Sequence, residues 1–97
     1  MREYTPDAWV LVKITAPTGE QHVRVCCGWS GGYLDGDSWK LSSGTTEMKE
    51  EGDYYLFPQY SGSLYKCHKK AHGLRMCNGG IFNRVRNELG AEEISVD

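Results

Sequence analysis

The sequence predicts an α+β domain: a twisted antiparallel sheet of about five to seven short strands, able to roll toward a barrel, with one C-terminal helix. Three features carry that prediction. Apolar and polar residues alternate through Ala8 to Ile14, His22 to Trp29 and Leu64 to Lys69, which is the period of a half-buried strand. Glycine, aspartate and serine cluster between these runs, where they favour chain reversal. A helical period emerges once, near the end, where Ile81, Phe82, Val85 and Leu89 form one apolar stripe.

In the first strand Ala8, Val10, Val12 and Ile14 share one face, and Trp9, Leu11 and Lys13 share the other. Trp9 therefore either packs under the helix or sits exposed beside Leu11 as a binding patch. Pro17-Thr18-Gly19-Glu20 is a turn signal. The next run places Val23, Val25, Cys27 and Trp29 together, with His22, Arg24 and Cys26 opposite, and completes an antiparallel hairpin. Between Trp29 and Trp39 lies a tight corner built on Gly31, Gly32 and Gly36, with the two rings as clamps. A reduced copy follows at Tyr60-Ser61-Gly62-Ser63-Leu64-Tyr65.

Ser38 to Ser42 reads as a short strand, and Thr45 to Met48 as a second candidate. Glu47, Glu50, Glu51 and Asp53 crowd what reads as a polar turn. Tyr54-Tyr55-Leu56-Phe57 is strand-like, and Pro58 ends that strand or marks an edge. Leu74-Arg75-Met76 is a candidate for pairing back after a turn at His72-Gly73. Asn78 is placed to cap the helix and Gly90 to end it. The chain reads as one domain over 1–97, ordered from about residue 7 to 90, with a frayed acidic tail over 91–97.

Net charge is −2 for 97 residues, so the overall balance does not favour nucleic acid. No apolar run approaches the ~18 residues of a membrane span, and the first residues lack a signal peptide's apolar middle. A cytoplasmic protein is expected. Its four cysteines, Cys26, Cys27, Cys67 and Cys77, then read as free, mostly buried thiols. Cys26 and Cys27 point to opposite faces of a strand, so at most one can share a core site with Cys67.

Charge is segregated along the chain. All 13 acidic residues lie outside Tyr54 to Asn87. That segment holds Lys66, Lys69, Lys70, Arg75, Arg84 and Arg86, with His68 and His72. Lys66, Lys69, Lys70, Arg75 and His72, with Tyr60 and Tyr65, are the candidate binding residues of a basic, aromatic face. Such a face can hold phosphate, nucleic acid or an acidic protein surface. It can equally be a solvated edge strand whose lysines discourage sheet aggregation.

Catalytic signatures are weak. Cys67 and His68 are strand neighbours whose side chains diverge, and no nucleophile elbow or phosphate loop is present. Asp35-Gly36-Asp37 lacks the remaining ligands of a calcium loop. Cys67, His68, His72 and Cys77, with Cys26 or Cys27, could supply zinc ligands, but not at the spacing of a standard knuckle. A non-enzyme without cofactor or bound metal is expected.

The stretch from Gly28 to Trp39, with Tyr60 to His68 after it, resembles small accessory proteins of tailed bacteriophages over roughly residues 8 to 82. The resemblance implies action in the cytoplasm of a bacterial host, as a host-directed inhibitor such as a blocker of a defence protein. It transfers no functional residue. Three readings result: a protein that binds a host protein, as a monomer or as a homodimer; a nucleotide or nucleic-acid binder using segment 54–86; and a zinc-stabilised binding module.

Overall fold

A computed structural model describes residues 2–30 and 38–95. The strands are β1 (Glu3–Tyr4), β2 (Ala8–Thr15), β3 (Gln21–Trp29), β4 (Ser38–Leu41), β5 (Lys49–Glu51), β6 (Tyr54–Pro58), β7 (Leu64–His68) and β8 (Glu92–Ile94), and the helix is α1 (Met76–Leu89). The α+β class is as predicted. The strands divide into two four-stranded sheets, ordered β4-β3-β2-β8 and β1-β7-β6-β5, and neither closes into a barrel. One pairing, β1 with β7, is parallel.

The three layers follow from the alternation in β2. Trp9 and Leu11 project from one side into a core with Val25, Cys27, Phe57, Tyr65 and Cys67, between the two sheets. Val10 and Val12 project from the other side into a core with Cys26, Phe82 and Val85, under the helix. The sheet holding β2 is thus central, and the sheet holding β6 and β7 is outer. Because β2 is covered on both faces, Ala8, Trp9, Val10, Leu11 and Val12 are all fully buried. That corrects both readings of Trp9. Its ring is neither exposed nor under the helix: it lies 5.5 Å from Phe57, and its indole N–H donates to the His68 carbonyl at 2.8 Å. A buried indole finds such a partner because an unmade hydrogen bond there is costly.

The predicted hairpin forms over β2 and β3, from Ala8 opposite Gly28 to Thr15 opposite Gln21. Gly28 is a close-approach position. A Cβ there would lie 2.5 Å from the Cys77 carbonyl oxygen, so its missing side chain lets the start of α1 sit on the sheet. The helix begins earlier than its apolar stripe. Asn78 is its third residue, fully buried, and accepts from the Arg75 backbone N–H at 2.8 Å. Arg75 holds the N-cap position, but its side chain is donor-only and cannot accept a free helix N–H. Gly90 ends the helix at φ 65°, as its sequence position predicts.

Four local expectations are corrected. Residues 91–97 are not a frayed tail through Ile94: Ala91 is buried, and β8 pairs with β2 over Leu11 to Lys13. The acidic run is not simply a turn, because Lys49–Glu51 forms edge strand β5. Residues 45–48 form no strand: Thr45 makes an isolated bridge to Gln59 and donates its N–H to the Val23 carbonyl at 2.6 Å. Leu74 and Arg75 precede the helix and do not pair back. The glycines of the first corner, Gly31, Gly32 and Gly36, lie outside the described residues. The second corner is a hairpin turn: the Gly62 N–H donates to the Gln59 carbonyl at 3.0 Å, and Gly62 takes φ 90°.

Candidate functional site

The outer sheet buries one face and leaves the other without a covering layer. Tyr55, Phe57, Tyr65 and Cys67 point inward. Their strand neighbours Tyr54, Leu56, Pro58, Leu64, Lys66 and His68 point outward and are half-buried. No helix or sheet packs over this outer face among the described residues.

Register arranges the face as three cross-strand rows. Glu3, Leu64 and Pro58 form the first, across β1, β7 and β6. Lys66, Leu56 and Lys49 form the second, across β7, β6 and β5. His68, Tyr54 and Glu51 form the third. The middle of the face is therefore apolar, a cation stands on each side of Leu56, and the two carboxylates occupy opposite corners. Between the first two rows lies a depression of about 320 Å³, lined by Lys49, Leu56, Pro58, Gln59, Gly62, Ser63 and Leu64. That size falls at the lower end for small-ligand pockets, and it also suits a single protein side chain.

The polar groups in and beside the depression are not equally free, and Lys66 stands outside its lining. Gln59 is committed to structure: its carbonyl oxygen accepts from the Gly44 N–H, and its NH2 donates to Thr45 and to the Phe57 carbonyl. The Lys49 ammonium is 3.2 Å from Glu47, in a pair more than half exposed on both sides. Such a pair contributes little and exchanges readily with solvent or a partner. The Lys66 ammonium lies 4.6 Å from the centre of the Tyr54 ring, with no carboxylate in salt-bridge range among the described residues.

The basic, aromatic face expected from the sequence does not assemble as one surface. Lys66 points outward, but the strand ends at His68 and a 3-10 turn begins at Lys69. Lys69 lies on the opposite side, where it pairs with Glu50 and overlies the Tyr55 ring. The Glu50 carboxylate holds that ammonium above its usual pKa. Lys70 and Arg75 are exposed around the turn and the helix start. His72 meets Trp9 ring edge at 4.6 Å. Tyr65 is 2% exposed and belongs to the core, so its assignment to a binding surface is corrected. Tyr60 is 71% exposed, with its ring against Gly44, where a Cβ would lie 2.8 Å away. Trp29 is half-buried against the core and donates to the Thr5 carbonyl at 3.1 Å, whereas Trp39 is 54% exposed. Sequence reasoning missed Lys49, Leu56, Pro58, Ser63 and Leu64 as one site. Their signal was available only as the outward half of each alternating strand.

The candidate zinc ligands do not converge on one point. Cys27 and Cys67 lie between the sheets and Cys26 under the helix, while His68 faces outward and His72 packs on Trp9. No group of three or more histidine, cysteine, aspartate or glutamate side chains is placed to hold a metal among the described residues. All four cysteines are free and buried. Burial pushes the Cys26 thiol up to about 11 and Cys27 to about 12, and raises Cys67 further. A thiol so raised is protonated near neutrality and is a poor nucleophile.

Compared with protein-family models, curated proteins and solved structures, the chain matches none.

Proposed function

We propose that this chain is a non-catalytic binding module that docks another protein on the outer face of its outer sheet. The observation that supports this reading most is the contrast between sheet faces. Three are covered, by a sheet or by α1, and the fourth keeps Tyr54, Leu56, Pro58 and Leu64 half-buried around an open depression. Apolar side chains gathered around a concavity with a polar rim are the usual make-up of a docking surface. The resemblance to phage accessory proteins makes the partner a bacterial host protein, blocked by occupation of its surface.

Nucleic acid has less support. Lys69 is taken by Glu50, and Glu3 and Glu51 stand on the face a phosphate backbone would have to cross. The test is affinity capture from bacterial lysate with three proteins: wild type, Leu64→Asp, and Arg84→Glu on the exposed side of α1. Thermal melts establish that each is folded. One stoichiometric protein held by wild type and by Arg84→Glu, and lost with Leu64→Asp, is the expected result. Capture indifferent to Leu64→Asp, or no captured protein, overturns the reading.

A further inference from the structure

The pattern of charge around the depression says what kind of segment fits it. Resting on the docking-face reading above, we propose that the occupant is an extended acidic segment of the partner, with an apolar residue flanked by carboxylates two residues away on each side. The apolar side chain enters the depression beside Leu56, Pro58 and Leu64. The two carboxylates meet Lys49 and Lys66.

Three observations carry this choice. First, Lys66 and Lys49 stand on either side of Leu56 in one cross-strand row. Adjacent strands are ~4.8 Å apart, so the two lysine Cα positions are separated by ~10 Å. Second, both cations are available. Lys66 has no carboxylate partner among the described residues, and the exposed Lys49–Glu47 pair is exchangeable. Third, the carboxylates of the face, Glu3 and Glu51, lie at opposite corners rather than beside the apolar centre. A basic segment would face two lysines at the centre, while an acidic one meets them and keeps clear of both glutamates.

Spacing then selects an extended segment lying across the strands. Residues i and i+2 of an extended chain share one face at ~7 Å, so carboxylates at i−2 and i+2 lie ~13 Å apart around the apolar residue. Lysine side chains are long and flexible enough to take up the difference from ~10 Å.

The experiment is a two-dimensional NMR titration of the whole chain with two synthetic peptides. One is acetyl-Asp-Ser-Leu-Ser-Asp-amide, and the other has lysine in place of both aspartates. The acidic peptide should shift the amides of Leu56, Ser63, Leu64 and Lys66, and bind about tenfold tighter than the basic one. That advantage should shrink as salt is raised. The double variant Lys49→Glu, Lys66→Glu should reverse the preference, and Leu64→Asp should abolish both. Equal binding of the two peptides, or a preference unmoved by the lysine reversals, overturns the acidic occupant while leaving the docking face standing. Shifts away from this face, displacement by an oligothymidine, or self-association that shifts the same amides without peptide also overturn it. Loss of the lysate partner with Leu64→Asp is read separately, so failure of the docking face and failure of the acidic choice are told apart.

Discussion

Gly28→Ala adds one methyl group at the point where α1 touches the central sheet. The new Cβ would lie 2.5 Å from the Cys77 carbonyl oxygen, 2.7 Å from its carbon and 3.0 Å from the Cys77 sulfur. Carbon–oxygen contacts settle near 3.3–3.6 Å, so the first turn of the helix must retreat by roughly 1 Å. The obstacle is backbone, not the free end of a side chain, and Asn78 ties that turn to Arg75 and Gly73. Overpacking of this kind costs about 1–3 kcal/mol. Replacing a strand glycine returns about 0.5–1 kcal/mol of backbone entropy. The net expectation is a loss of about 1 kcal/mol, or a melting temperature lower by about 4–8 °C for a domain of this size. Gly79→Ala is the control, because nothing lies within 4 Å of a Cβ built there. In the helix interior it should stabilise by about 0.5–1 kcal/mol. Thermal and urea melts of both variants give the comparison. A Gly28→Ala protein as stable as wild type would falsify the close approach of helix and sheet.

Three further expectations concern the cores. The raised thiols of Cys26, Cys27 and Cys67 keep their protons in the folded chain, while in the unfolded chain they titrate near pH 9. Stability they support is therefore full below about pH 9 and is lost as pH rises toward the folded values, by up to ~1.4 kcal/mol per pH unit for each thiol. Urea melts from pH 8 to 10.5 should show that decline, with a shallower slope in Cys67→Ala; identical slopes would contradict it. Arg24 buries its guanidinium Nε with no hydrogen-bond partner among the described residues. Arg24→Met keeps a long apolar stem and should stabilise by about 1 kcal/mol, and a destabilised variant would mean that the guanidinium has a partner. Trp9→Ala empties the space between the sheets and should cost about 3–5 kcal/mol, read as a lower urea midpoint by circular dichroism.

Strand periodicity made most of the architecture readable. Ala8 to Ile14 and His22 to Trp29 show their faces in the order of their letters, and the hairpin follows from matching them. The partner of each face was not readable. Trp9 and Leu11 look like the poorer side of β2 because that side ends in Lys13, and only a second sheet makes it a core. β5 and β8 were hidden for a related reason: Lys49–Glu51 and Glu92–Ile94 are mostly charged, and edge pairing rather than propensity makes them strands. The candidate site was half legible. Lys66 was found through charge segregation, and strand alternation already set Lys69, three residues on, on the other face, but linear sequence could not reveal that Glu50 occupies it there. Lys49, on the acidic side of the segregation boundary in sequence, becomes its counterpart across Leu56 only through strand pairing.

The pairing of β2 with β8 has a consequence for how the polypeptide is made. β2 waits for residues 92–94, about 80 positions later, to cover its second edge. Since translation is vectorial and slow beside strand pairing, a nascent chain holds Leu11 to Lys13 beside an open ladder until residues 92–94 have been made. Ribosomes stalled before Glu92 would carry a chain prone to stick to its neighbours on the same message, and chaperone demand should be greatest just before that point.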